Sequence, residues 1–267
     1  MDLGSRKVEL WTASMAPDPD LYEVAARVAT IPDTAAAVVR FANSAYVGAV
    51  YPVGTVLEAV IRVGCRSVGA LAMASLNREL VDTWGAPELW EESLVVGRAA
   101  KLVGRLLGFS RAENEQLFVA GLFSAAGTAA LLTADEGFLG WRRRQWMKGA
   151  SDQQMLKREK MAYGADHVEK GSKMLAEWNL PAEIIATVAS HHDPQTKLDG
   201  ALAAAMSAPF DDSATRCLDM SLKGAMKRIG LGDHVSFVES EARLFADAAV
   251  QVFSEVMKPE MDVASQW

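Results

Sequence analysis

The sequence predicts an all-α protein on three observations. Apolar residues recur at the three- and four-residue spacing of an amphipathic helix, as Val24 and Val28 do. Turn formers such as Pro32 and Gly64 fall between these periodic segments and mark helix ends. Apolar runs short enough to be strands lie inside longer helical patterns, so the sequence offers no set of strands that could pair into a sheet.

Each predicted helix begins at a capping residue or follows a breaker. Asp20 can cap the first helix, and Thr55 with Glu58 and Ser110 with Glu113 have the spacing of a capping box. The predicted helices cover 21–28, 34–41, 56–63, 67–81, 88–107, 115–125, 131–138, 141–147, 151–161, 167–178 and 181–191. About three more follow residue 200, and the last of them covers 236–256.

The composition excludes several classes of protein. Of the 267 residues, 50% are hydrophobic and 23% are charged, so the chain can bury a core and is not intrinsically disordered. No window approaches the roughly 18 uninterrupted apolar residues of a membrane span. The first ten residues lack the apolar core of a signal peptide. We therefore expect a cytoplasmic protein with no membrane partner.

Charge and cysteine content exclude two kinds of site. The net charge of −7 argues against general nucleic-acid binding, because such binding depends on cations that neutralise phosphates. Cys65 and Cys217 are too few for a disulfide scaffold or a Cys-rich zinc site, and we expect both to be reduced and at least partly buried.

The chain divides into lobes at a break near Gly85 and Pro87. We expect an N-terminal helical lobe over 17–86, a second lobe over 87–200 and a C-terminal helical extension over 201–267. The last helix carries a broad apolar stripe, and we expect that stripe to pack on its own domain rather than on a partner. The stripe comprises Phe237, Leu244, Phe245, Ala248, Val252, Phe253 and Val256.

Two polar segments have both a structural and a functional interpretation. Asn43 and Ser44 stand where turn formers interrupt the helical pattern, which favours a structural corner over a polar contact to a ligand or partner. The basic run 142–144 has tryptophans nearby, as in single-stranded nucleic-acid sites. We favour a solvated helix face for this run, because charged runs on surface helices are ordinary.

Three of the four histidines fall close together in the second lobe, as His167, His191 and His192. Imidazoles from two helices could converge on a divalent metal such as zinc, iron or manganese. The same residues could instead satisfy buried hydrogen bonds, and adjacent histidines alone do not decide between the two.

Six segments in order carry a resemblance to a known family. They are IPDTAAAVVRFANSAYVGA, LEAVIRVGCRSVGALAM, ELWEESLVVGRAAKLV, FVAGLFSAAGTAALL, YGADHVEKGSKMLAEWNLP and IATVASHHDP. Over about residues 17–196 the chain resembles the HDOD family, a bacterial signalling module related to HD-domain metal-dependent phosphohydrolases. The resemblance implies a multi-helix HD-like bundle, and residues 201–267 match no family segment.

The resemblance also implies that the catalytic pair is replaced. In catalytic relatives an early His, a His-Asp pair and later His residues hold metals that activate water. Here Glu92 or its neighbour Glu91 stands at the early position, and Ser124 and Ala125 replace the pair. Serine and alanine cannot supply the charge or basicity that the metals need. The histidines at the later positions persist, and we expect Ser124 and Ala125 to lie near them.

We therefore expect a non-catalytic regulatory module that acts through a protein partner and binds a nucleotide-like second messenger. We expect no cofactor, although three imidazoles helped by Glu92 or Asp166 could hold a single divalent metal. The alternative is a residual metal-dependent phosphohydrolase acting on a nucleotide or cyclic dinucleotide. The candidate ligand- or partner-binding residues are Asn43, Ser44, Glu92, Ser124, Asp166, His167, His191 and His192.

Overall fold

The computed structural model describes residues 3–48, 50–83, 88–206 and 222–256. These residues form α-helices and connecting turns and contain no strand, which confirms the predicted all-α class. The first seven helices are α1 (Leu3–Ser14), α2 (Leu21–Ala29), α3 (Pro32–Ala42), α4 (Val56–Val63), α5 (Cys65–Thr83), α6 (Glu88–Leu106) and α7 (Arg111–Phe123). Then follow α8 (Ala126–Ala134), α9 (Phe138–Met147), α10 (Asp152–Tyr163), α11 (His167–Glu177), α12 (Ala182–Ala189), α13 (Lys197–Met206), α14 (Leu222–Arg228) and α15 (Val235–Val256), with a 3₁₀ turn at Gly232–His234.

Helix starts follow local capping chemistry. The Asp20 carboxylate accepts the first-turn N–H groups of α2. Both predicted capping boxes form, Thr55 with Glu58 at α4 and Ser110 with Glu113 at α7. The prediction was wrong at 131–138, because α8 already ends at Ala134. The small residues that begin α8 have no apolar period to indicate a helix.

Helix α1 is an element that the sequence pattern did not predict. It packs on α5 and buries Leu10 and Trp11. Its Lys7 is also fully buried, with Nζ 2.6 Å from a carboxylate oxygen of Asp33 and 2.6 Å from one of Glu79. A lysine on the buried face interrupts the apolar stripe, so the sequence of this segment lacks the continuous apolar period that predicts a helix.

The second lobe is organised by α6 and α7, whose backbones nearly touch. A Cβ added to Gly121 would lie 2.5 Å from the Cα of Gly97, so only glycine permits this approach. Helices α13 and α15 pack on α6. One hydrophobic core runs from Val8 in α1 to Phe253 in α15.

Helix α15 packs on its own domain, against α6 and α3. The predicted stripe was wrong at Phe237 and Leu244, which are 49% and 56% exposed. The buried face lies a fraction of a turn away. It follows three- and four-residue steps through Val238, Ala242, Phe245, Ala249 and Val252, and Phe253 is buried next to the last of these.

One stretch in the described ranges, Arg111–Ala134, has the length and mean hydropathy of a membrane span, although Ser124 and Thr128 interrupt its apolar residues. It covers α7 and α8, and 72% of its most apolar window is buried inside the protein, as in the core helices of soluble proteins. Cys65 is a half-buried free thiol, whereas Cys217 and the predicted break at Gly85 and Pro87 lie outside the described residues.

Candidate metal centre

Two helix ends bring three histidines together. Asp166 caps α11, where its carboxylate accepts the Glu169 N–H at 2.8 Å, and this cap fixes His167 as the first residue of the helix. The second and third histidines, His191 and His192, lie in the turn after α12, which ends at Ala189. Helices α11 and α12 pack against each other, so the start of one meets the end of the other.

The three imidazoles present the same ring nitrogen to one another. The Nε2 atom of His167 lies 3.3 Å from Nε2 of His191 and 3.0 Å from Nε2 of His192. All three are buried or nearly so, and their ligand atoms lie within 4.8 Å of one another. Among the described residues, no other His, Cys, Asp or Glu set forms such a group.

Outer partners hold two of the rings in place. Nδ1 of His167 is 2.6 Å from a carboxylate oxygen of Glu159, and Nδ1 of His191 is 2.6 Å from the carbonyl oxygen of Val188. Both partners are acceptors, so each Nδ1 carries the proton and each Nε2 keeps its lone pair. Carboxylate and carbonyl partners of this kind orient imidazoles that ligate metals.

Burial keeps these imidazoles neutral at neutral pH. Burial first, then the charge of the neighbouring His192 imidazole and of Arg142, lowers the pKa of His191 to about 3. Burial and the charge of Arg142 lower the pKa of His192 to about 4. The pKa of His167 also falls well below its usual range, first because of burial and then because of the positive charge of Arg142. The neutral form is the one that binds a metal.

The donor set fits one divalent ion. Nitrogens bound to tetrahedral zinc at about 2.05 Å lie roughly 3.3 Å apart, and the two distances above come within about 0.3 Å of that separation. A metal between the rings would also relieve the contact of the His167 and His191 lone pairs. Asp166 and Glu92 do not join the group: the former caps α11, and the latter is half-buried on α6.

A buried ion pair lies behind the histidines. Arg142 and Glu159 are both fully buried, with the arginine Nε 3.3 Å from a carboxylate oxygen, close enough for an ion pair although not aligned as a hydrogen bond. Arg142 also donates to the Thr128 hydroxyl at 2.8 Å. The predicted solvated face was therefore wrong for Arg142 and holds for its exposed neighbours Arg143 and Arg144.

Sequence reasoning missed Glu159 and Asp152 and placed Arg142 on the surface. The Asp152 carboxylate lies 3.7 Å from Nδ1 of His192 and is 20% exposed, at the outer side of the cluster. A signal was present in the helical spacing: Glu159 follows buried Met155 by four residues, and Arg142 follows buried Phe138 by four. Charged residues on a buried helix face require partners, and here they partner each other.

The distance of Ser124 and Ala125 from the imidazoles stays a prediction; these two residues form the junction between α7 and α8. Just after it, α8 crosses α11 so closely that a Cβ on Gly127 would lie 2.6 Å from the carbonyl carbon of His167 and 2.9 Å from the backbone nitrogen of Gly171. Ser124 is buried, and its hydroxyl donates to the Gly121 carbonyl at 2.8 Å. The Ser124 hydroxyl therefore donates its hydrogen bond within the end of α7.

Asn43 and Ser44 form the corner that the sequence favoured. The Asn43 amide donates to the Val53 carbonyl and accepts the Val53 N–H, both at 2.8 Å, which pins the loop after α3. The Ser44 hydroxyl donates to the Phe41 carbonyl at 2.7 Å. Binding of a ligand or partner by these two residues stays a prediction.

Comparison with known proteins identifies the family that the chain matches. The model of the HDOD domain matches residues 5–194, and no curated protein matches the chain. An HDOD domain protein of unknown function from Geobacter sulfurreducens has a TM-score of 0.60 at 20% identity, over 94% of this chain and 90% of that one.

Two further solved structures share the fold. A Shewanella amazonensis SB2B protein, provisionally named a phosphohydrolase, has a TM-score of 0.59 at 20% identity, with 94% of this chain and 87% of that chain covered. A Marinobacter aquaeolei VT8 protein, provisionally named a signal transduction protein, has a TM-score of 0.69 at 15% identity, with 96% and 59% covered. At these identities the likeness shows the fold alone.

Proposed function

The chain belongs to the HDOD family, and we propose that it is a non-catalytic regulatory module of a bacterial cytoplasmic signalling pathway. A regulatory role of HDOD type is supported by the family and by the provisional name of the Marinobacter neighbour. The finer proposal is that the protein acts by contact with a protein partner and responds to a nucleotide-like signal rather than turning over a substrate.

One observation carries the non-catalytic part of the proposal. The only candidate ligand group in the described residues contains three imidazoles and no carboxylate. A phosphohydrolase centre of two metals needs an anionic ligand to bridge them, and the metals in turn bind and activate the attacking water. At the matching position Ser124 and Ala125 offer a hydroxyl bonded to its own helix and a methyl group.

A single divalent ion at His167, His191 and His192 would have a different role here. It would supply a positive charge that ties the first residue of α11 to the turn after α12. Glu159 and the Val188 carbonyl would hold two of the rings in the liganding orientation. The ion pair behind these rings offers no free base for a substrate water, because the Glu159 carboxylate is engaged by Arg142 and His167.

The second candidate function is a residual phosphohydrolase. The convergence of three neutral Nε2 atoms favours it, because such a set can hold one metal and leave a fourth position open. Asp152, 3.7 Å from His192 and partly exposed, is the acid nearest to the cluster that could act on a bound water. This second candidate requires a nucleotide or cyclic dinucleotide to reach that side of the cluster.

Metal content and hydrolysis, measured on the same preparations, separate the two functions. Full-length protein is purified without chelator, analysed for bound zinc, iron and manganese, and assayed with bis(4-nitrophenyl) phosphate and a cyclic dinucleotide. We expect at most one ion per chain, lost in His167→Ala and kept in His234→Ala, whose histidine is exposed on the 3₁₀ turn. We expect no hydrolysis above that of His167→Ala. Metal-dependent hydrolysis that His167→Ala abolishes and His234→Ala retains would establish the second candidate.

A further inference from the structure

Two adjoining cavities form a groove on a part of the molecule that the histidine cluster does not reach. The first cavity, about 250 Å³, lies between residues of α3, α4 and α5 on one side and α6, α7 and α15 on the other. The second, about 500 Å³, continues along α6 and α7. Both are lined by Ser67, Arg98 and Lys101, so we treat them as one feature, the basic groove.

Aromatic rings form one wall of the basic groove. Tyr46 and Phe118 each meet Phe245 edge to face, with ring centroids 5.5 Å apart in both pairs. The guanidinium carbon of Arg98 lies 5.9 Å from the Tyr46 ring centre and 5.6 Å from that of Phe245. A wall of ring edges and faces with a cation beside it suits a planar aromatic ligand.

The charge of the groove is opposite to that of the protein. Its lining contains one carboxylate, Glu115, whereas the whole chain has a net charge of −7. The lining cations are Arg62, Arg98, Lys101, Arg105 and Arg111. Lys101 is paired with Glu115 at 2.6 Å, and Arg98 lies 3.7 Å from Glu241. Within the described residues the exposed Arg105 and Arg111 form no ion pair, so an anion at the rim would meet uncompensated positive charge.

Three residues that line the groove each carry a buried polar atom without a hydrogen-bond partner among the described residues. These atoms are Nε of Arg98, Oε2 of Glu115 and Oδ1 of Asn114. The Glu115 side chain is only 2% exposed, so its second oxygen gains little from water. Unsatisfied buried groups of this kind are costly, and a ligand with both donors and acceptors would satisfy them.

We infer that the basic groove binds a nucleotide, a planar base that bears hydrogen-bond donors and one or more phosphates. The aromatic rings would pack against the base, and the unpaired acceptors would accept hydrogen bonds from its amino groups or from the sugar hydroxyls. The rim arginines would bind the phosphates. The inference rests on the proposed regulatory function, for which it names the signal class and the site. Helices from both predicted lobes and α15 line the groove. A bound nucleotide would therefore contact all of them and stabilise their packing, including that of the C-terminal helix.

Fluorescence anisotropy of N-methylanthraniloyl GDP and ADP, titrated with the full-length protein in EDTA, tests the inference. We expect saturable binding of at least one probe. Arg105→Met and Arg98→Met should each weaken it about tenfold or more. Arg143→Met removes the same charge from an exposed position on α9 and should leave the affinity unchanged. Arg105 is exposed, so its variant reports on binding even if Arg98→Met destabilises the fold.

Competition separates a nucleotide site from a simple anion site. Unlabelled GDP or ADP should displace the probe, and inorganic pyrophosphate at the same concentration should not. Absence of binding, equal loss in Arg143→Met and Arg105→Met, or full displacement by pyrophosphate would each overturn the inference. Because the titration is run in chelator, this result is independent of the metal-dependent hydrolysis that tests the proposed function.

Discussion

The three consecutive arginines of α9 provide a direct test of the buried network behind the histidines. Replacing Arg142 by methionine keeps much of the side-chain volume but leaves the fully buried carboxylate of Glu159 without its cation. It also removes the donor to the Thr128 hydroxyl. Breaking a buried ion pair by removing one partner costs about 3–5 kcal/mol. At roughly 2–4 °C per kcal/mol for a domain of this size class, Arg142→Met should lower the Tm by about 6–20 °C.

The matched control is the next residue. Arg143 is exposed on the same helix, so Arg143→Met should change stability by no more than about 0.5 kcal/mol, a shift of at most about 2 °C. Thermal unfolding followed by circular dichroism measures both. Adding Glu159→Gln to Arg142→Met should recover part of the loss, because the pair then contains no unbalanced charge. If Arg142→Met and Arg143→Met unfold within about 2 °C of each other, the buried pair described here does not stabilise the protein.

The remaining predictions concern the helix crossing, the N-terminal network and its pH dependence. Gly127→Ala should lower the free energy of unfolding, measured in urea, by about 3 kcal/mol, because its Cβ would collide with the His167 backbone. The control, Gly200→Ala, lies in a helix with open space around it and should raise the free energy of unfolding by about 0.5–1 kcal/mol. Equal effects of the two would contradict the close crossing. Lys7→Met should lower the free energy of unfolding by about 1.5–3 kcal/mol, because the carboxylates of Asp33 and Glu79 lose their common cation but stay 24% and 34% exposed to water. A loss under about 1 kcal/mol would contradict the burial of Lys7. Burial raises the pKa of Asp33, but hydrogen bonds from Lys7 and Ser75 outweigh it and leave that pKa lowered. The stability that Asp33 contributes is therefore fully present above its unfolded pKa of about 3.9 and lost as the pH falls through the lower folded value. Wild type should exceed Asp33→Asn in stability at pH 6 and lose that advantage towards pH 2, and a pH-independent difference would contradict this.

Local sequence signals predicted much of the fold, because helix period and capping are properties of neighbouring residues. The boxes at Thr55 and Ser110 form as their spacing indicates. Helix α1 escaped prediction because Lys7 occupies its buried face, and the ion pairs that permit this come from α3 and α5. A pattern within one segment cannot show partners that are distant in sequence.

The candidate site likewise contains residues that the sequence could identify and partners that it could not. The histidines could be singled out, since residue type and spacing identify ligands. Their partners could not: Glu159 meets both Arg142 and His167 only because α9, α10 and α11 pack together. The run of arginines shows why composition is insufficient, as one member is fully buried and the next is exposed.

The most direct test of the central claim is hydrolysis of a cyclic dinucleotide by metal-loaded, full-length protein, followed by chromatography of the products. A non-catalytic regulatory module should leave the dinucleotide intact, at the level of His167→Ala, whether or not an ion is bound to the three histidines. Release of a linear dinucleotide or mononucleotide at a rate that depends on the metal and on His167 would contradict the account.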